Sequence, residues 1–172
     1  MGFRLLVTRC VVALFALTTA GSVAVAASPI APKSGSAMCA LTVADFQGVG
    51  LGNASKPTAN VDEGGASAYC VYAGKSGATG GIELDVFYPA GESPADVKET
   101  YANASAATSL QPAKIAGVDE AQWSAREVQG GPPFAMIAVR RSNLVFVISI
   151  PAGKSAEAQL VKLAQLVLER LR

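Results

Sequence analysis

The sequence predicts an α+β fold, in which an antiparallel sheet of about five strands carries packed helices in the order α-β-β-α-β-β-β-α. Three patterns lead to this prediction. Polar and apolar residues alternate in residues 82–88, as in a strand with one buried face. Residues 134–140 and 144–150 are two β-prone runs around a short turn, which is typical of a hairpin. Apolar residues between Leu160 and Leu171 recur with the period of an amphipathic helix.

Capping residues predict the first helix, and the alternation of polar and apolar residues predicts the first hairpin. Thr42 and Asp45 have the spacing of a capping box, which predicts a short helix that begins after Thr42. Residues 53–66 are polar and predict a long loop. Residues 67–73 and 82–88, joined by a glycine-rich segment, predict a hairpin with one core face.

The second half of the domain continues in the same way. Ser93 caps a predicted helix that ends at about residue 107. Residues 121–128 predict a further strand. Residues 144–150 are apolar on nearly every position, so we expect this strand to lie centrally, covered on both faces. Ser155 is the predicted cap of the final helix.

The chain begins with the features of a cleavable export signal. Arg4 and Arg9 precede a short apolar run at residues 11–17, and small residues follow up to Ala26. This run is shorter than the roughly 20 residues that a membrane-spanning helix needs. We therefore expect residues 1–26 to be a signal peptide.

The remaining chain has the size of one domain. Residues 27–37 are rich in Pro, Ser and Gly, which predicts a flexible leader, and residues 38–172 predict a single α+β domain. Without the arginines of the signal its charge is nearly balanced, whereas nucleic-acid binding needs a basic face. We therefore expect no nucleic-acid partner, and no transmembrane segment in the mature chain because no later stretch is long and apolar enough.

Cysteine usage agrees with export. Cys10 lies inside the signal, so the mature chain keeps Cys39 and Cys70, an even number in an oxidising compartment. One disulfide is the simplest interpretation, and two free thiols, a metal pair or a redox couple are the alternatives. A lipid anchor would need a cysteine directly after the apolar run, and Cys39 comes too late. We expect a secreted or periplasmic protein.

The absence of histidine from the whole chain limits the possible chemistry. It excludes Ser-His-Asp and Cys-His catalysis and removes the commonest ligand of zinc, copper and haem. Any enzymatic activity would depend on carboxylates, lysine or tyrosine. We expect no metal, no cofactor and no catalytic residues of the usual kinds.

Aromatic side chains are the candidate binding residues. Trp123, Tyr69 and Tyr72 could line a ligand groove, because aromatic rings offer contact area together with a polar atom, and could equally belong to the core. Arg140, near the end of a predicted hairpin, could receive an anionic group, although exposed charge is common at turns.

Three segments resemble the small extracytoplasmic proteins of actinobacteria and relatives that are grouped as domain of unknown function 3558. They are MCALTVAD at residues 38–45, AYCVY at 68–72 and IAGVDEAQW at 115–123. The resemblance implies an α+β domain at the cell surface with a disulfide between its two cysteines, and it supplies no catalytic residues. Unlike many members, this chain lacks the lipid-attachment cysteine. LpqN-type lipoproteins with a PsbP-like fold are a similar alternative.

These observations favour a non-enzymatic binding or interaction domain at the cell envelope, with an unknown protein or a small envelope ligand as partner. The loop at residues 53–66 together with the Trp123 region is the predicted binding surface. One alternative is a cell-wall glycan hydrolase, because Glu83 and Asp85 project from one strand face about 6 to 7 Å apart, within range of a glycosidase pair. The other is a secreted enzyme inhibitor.

Overall fold

The computed structural model describes residues 30–31, 33–74, 81–88, 93–106, 110–127 and 131–171. The predicted signal peptide therefore lies outside the described residues. In chain order the elements are a 3₁₀ helix at Gly35–Met38, α1 at Val43–Gly48, β1 at Thr58–Val61, β2 at Ser67–Ala73, β3 at Ile82–Phe87, α2 at Pro94–Ala104, β4 at Gln111–Pro112, β5 at Glu120–Arg126, β6 at Phe134–Arg141, β7 at Leu144–Pro151 and α3 at Ala156–Arg170.

The strands form one antiparallel sheet in the order β1-β2-β3-β7-β6-β5-β4. The α+β class and the antiparallel sheet are confirmed. The predicted strand number and element order were wrong, since the described sheet has seven strands, not about five. Both additional strands, β1 and β4, lie at sheet edges and are short and mostly exposed. Such strands bury too few side chains to produce an alternating pattern.

One face of the sheet packs against α3 and forms the main core. Along β3, β6 and β7 the inward side chains are fully buried; they include Ile82, Leu84, Val86, Ile137, Phe146 and Ile148. They meet the apolar stripe of α3, including Leu160, Leu163 and Val167. We call this side of the sheet the α3 face. The central position of β7, predicted from its continuous apolar character, is confirmed.

The opposite face of the sheet packs against α2, and we call it the α2 face. Val97 and Tyr101 of α2 contact Ala138 on β6 and Val145 and Val147 on β7. The main contacts of α2 are with β6 and β7. The part of this face that belongs to β1, β2 and β3 therefore lies beside α2 and not beneath it.

A disulfide joins the start of the domain to the middle of β2. Cys39 and Cys70 are bonded, with their Cα atoms 5.6 Å apart. The sequence separation of 31 residues corresponds to a stabilisation of about 3 to 4 kcal/mol in the loop-entropy description. Among the described residues, no helix has the length and apolar character needed to cross a membrane.

The leader contacts the domain before the 3₁₀ helix begins. The side chain of Asn143, in the β6–β7 turn, accepts a hydrogen bond from the Ile30 amide at 2.8 Å and donates one to the Ile30 carbonyl at 3.1 Å. Ile30 also packs against the main core. These paired bonds hold the chain at residue 30 against the hairpin turn.

Candidate functional site

A row of polar side chains crosses three neighbouring strands on the α2 face. The strand pairing sets Asn60 of β1 opposite Tyr69 of β2, and Tyr69 opposite Asp85 of β3. Side chains that oppose each other in this way have Cβ atoms about 4.5 to 5.5 Å apart. In the adjacent row, the same pairing sets Ser67 opposite Phe87.

These two rows form the floor of an open groove at the sheet edge, which we call the β1–β3 groove. Its volume is about 440 Å³. The residues that line it come from β1, β2, β3 and the turn after β1; they are Asn60, Val61, Asp62, Ser67, Ala68, Tyr69, Asp85 and Phe87. The groove therefore combines polar, acidic and aromatic side chains.

The alternation of β3 explains which of its side chains reach this groove. Leu84 and Val86 are fully buried in the main core, so the neighbours Asp85 and Phe87 must project to the α2 face. Phe87 packs against the cluster beneath α2. It therefore forms the boundary between the groove and the α2 contact.

Asp85 carries a carboxyl group with a raised pKa on the wall of the groove. Burial, with a smaller contribution from the nearby charge of Glu83, raises the pKa of Asp85 to about 7. Its Oδ1 atom is inaccessible to solvent and accepts no hydrogen bond within the described part of the chain. A buried acceptor without a donor costs about 1 to 3 kcal/mol. Because Asp85 also lines the groove, a ligand there can bring a hydrogen-bond donor or a positive charge to this carboxyl group.

The edge strand β1 adds backbone groups to this region. The Asp62 amide donates to the Ser67 carbonyl, so alternate residues of β1 bond to β2 and the residues between them face the free edge. The amides and carbonyls of Ala59 and Val61 therefore point away from the sheet. Val61 is also an exposed large apolar side chain, with 38% of its surface accessible.

The structure does not bring the four sequence-predicted binding residues together. Tyr69 lines the β1–β3 groove. Tyr72 is fully buried, with its ring centroid 4.6 Å from that of Phe46, so it has no surface for a ligand and belongs to the core. Trp123 is partly buried against the main core, on the α3 face.

Arg140 lies on the α2 face and is neutralised by neighbouring carboxylates. Its guanidinium contacts Asp119 and Glu120, each at 3.2 Å, and its side chain is 19% exposed. Asp119 also accepts a hydrogen bond from the Ser142 amide at 2.6 Å. Arg140 thus supports the β6–β7 turn, and an anion would have to compete with two carboxylates for it.

The predicted surface that combined residues 53–66 with Trp123 is divided by the sheet. The segment 53–66 contains β1, whereas Trp123 is on β5, and β2, β3, β7 and β6 lie between them. Five steps at about 4.8 Å place the two strands roughly 24 Å apart. They cannot form one compact site.

Sequence reasoning missed Asn60 and Asp62, because their strand was predicted as a loop. The alternation in residues 82–88 did place Asp85 and Phe87 on one face. No group of three or more His, Cys, Asp or Glu residues in the described ranges has the arrangement of a metal site. No protein-family model, no curated protein and no solved structure matches the chain.

Proposed function

We propose that this protein is an exported, non-enzymatic binding domain of the cell envelope, and that its ligand occupies the β1–β3 groove. The observation that carries the proposal is Asp85 on the wall of an open groove, with its Oδ1 atom buried and without a hydrogen-bond donor among the described residues. A group that costs stability is retained most readily where a ligand makes use of it. Tyr69 and Phe87 supply aromatic contact area beside it.

The proposal of export has separate support. The N-terminal segment has the pattern of a signal peptide, and Cys39 and Cys70 are joined in a disulfide, as is common outside the cytoplasm. An α+β domain with this disulfide is also what the resemblance to domain of unknown function 3558 implies. Membership of that family is part of the proposal.

The binding function is tested by nuclear magnetic resonance with residues 27–172 as the expressed chain. The chemical shifts of the backbone amides are followed while small polar, charged and aromatic compounds are added one at a time. We expect at least one compound to shift the amides of Asn60, Tyr69 and Asp85 together. The variant Tyr69→Ala should weaken that binding, because the ring forms part of the groove.

The matched control is Phe134→Ala, which shortens a partly buried aromatic side chain on the same face at β6, outside the groove. It should leave the compound's affinity unchanged. A compound set that shifts no groove amide, or shifts only amides near Trp123, would contradict the proposed site.

A carboxylate-dependent glycan hydrolase is the second candidate, and the perturbed pKa of Asp85 favours it. A carboxyl group that titrates near neutrality can act as a general acid, with Glu83 on the same strand face as its partner. Hydrolysis of purified peptidoglycan by the wild type and by Glu83→Gln separates the candidates. An inactive wild type eliminates the hydrolase, and an active wild type that loses its activity in Glu83→Gln establishes it.

A further inference from the structure

We propose that the β1–β3 groove recognises an organic ammonium group, which the Asp85 carboxylate holds beside the rings of Tyr69 and Phe87. This inference rests on the proposed binding function and names the chemical class of its ligand. Three properties of the groove lead to it: its charge, its aromatic lining and its lack of a metal-binding arrangement.

The charge of the groove favours a cation. Asp62 and Asp85 line it, and among the described residues no lysine or arginine does. Glu83 projects from the same face of β3, one row away, and its charge already opposes ionisation of Asp85. An anionic ligand would add to this repulsion, whereas a bound cation would relieve it.

The aromatic lining favours an organic cation. Tyr69 stands directly opposite Asp85 in the strand pairing, and Phe87 follows two residues along β3 on the same face. Ammonium groups within about 6 Å of an aromatic ring gain about 0.5 to 2 kcal/mol from the ring's negative face. The rings of Tyr69 and Phe87 also offer contact area to an alkyl chain.

A metal cation fits the same groove poorly. Calcium takes 6 to 8 oxygen ligands, and the described residues contain no cluster of three or more metal-binding side chains. An ammonium group needs fewer acceptors, since each of its hydrogens makes one hydrogen bond. Asp85 lines the groove, so its carboxylate is placed to accept such a bond.

The experiment titrates the protein with pentan-1-amine and with pentan-1-ol and follows the chemical shifts of the backbone amides. It is carried out at pH 8, where the Asp85 carboxyl group is mostly ionised and the amine is protonated. The two probes have the same chain length and differ in charge. We expect the amine to shift the groove amides with a Kd at least tenfold lower than that of the alcohol. Asp85→Asn should raise the Kd of the amine at least tenfold, and Tyr69→Leu should raise it about three- to thirtyfold.

The matched control is Glu127→Gln, which removes one exposed negative charge just beyond β5, at the other side of the sheet. It should change the Kd of the amine less than twofold, because long-range charge is screened by salt. The comparison of the two probes on the wild type needs no variant, so it remains decisive if Asp85→Asn does not fold.

Equal affinity for the amine and the alcohol would overturn the ammonium inference while leaving groove binding intact. So would a compound of another class that shifts the groove amides when the amine does not. If no compound shifts these amides, the binding function itself fails, and this inference fails with it.

Discussion

The raised pKa of Asp85 predicts how the stability of the protein depends on pH, whether or not a ligand is bound. Its carboxyl group titrates near 4 in an unfolded chain, whereas burial raises its pKa to about 7 in the folded chain. Between these values the folded state binds more protons than the unfolded state, so the free energy of unfolding falls as the pH rises. At about 1.4 kcal/mol per pKa unit, the Asp85 contribution amounts to a loss of about 3 to 5 kcal/mol between pH 4 and pH 8.

The substitution Asp85→Asn removes this titration and keeps the shape of the side chain. We expect the variant to be more stable than the wild type at pH 8 by about 1 to 3 kcal/mol. The gain is smaller than the full cost of the buried charge, because burial of the polar amide is itself unfavourable. Near pH 4 the two proteins should differ little. Urea unfolding followed by circular dichroism, repeated at each pH unit, measures the free energy of unfolding of both proteins as a function of pH.

Other groups near Asp85 must be considered when these curves are compared. Among the described residues, its titratable neighbours in the groove and on β3 are Glu83, Asp62 and Tyr69, and none of these three carries a positive charge. The control Glu127→Gln should keep the wild-type dependence on pH. If Asp85→Asn follows the wild-type curve, or is less stable at pH 8, the carboxyl group is not the buried, destabilising group described above.

Three further predictions concern other contacts. Replacing both disulfide cysteines (Cys39→Ser with Cys70→Ser) should lower the free energy of unfolding by about 3 to 4 kcal/mol in urea titrations, and an unchanged midpoint would refute this. Arg170 lowers the pKa of Asp45 to about 2, so Arg170→Met should cost about 1 kcal/mol at pH 7 and reduce the further loss between pH 4 and pH 2 in acid titrations. Asn143→Ala should speed hydrogen exchange of the leader amide at residue 30 without changing the global stability by more than about 1 kcal/mol.

Local signals in the sequence predicted the helix starts with different success. The capping boxes of α1 and α2 are present, with Thr42 paired to Asp45 and Ser93 paired to Asp96. Ser155 does precede α3, but its side chain makes no capping hydrogen bond. A cap with a complementary carboxylate three residues later is a two-part signal, whereas a lone serine is only a preference.

The candidate site could be predicted only in part, because it depends on which strands are neighbours. Alternation within β3 shows that Asp85 and Phe87 share a face, and Tyr69 was recognised as an aromatic candidate. The pairing of Tyr69 with Asp85 and with Asn60 is a relation between strands that no local pattern contains. For the same reason, the sequence alone does not show that the Trp123 side chain packs on the α3 face, away from the groove.

The position of β7 has a consequence for how the domain can be completed. In the described sheet, β7 joins the β1–β2–β3 half to the β4–β5–β6 half, and it follows the other six strands in sequence. Until residue 151 is available, each half has an open edge where β7 belongs, and α3 is missing from the core. A nascent chain must therefore remain incompletely folded until residues 144–151 and the helix that follows them have emerged.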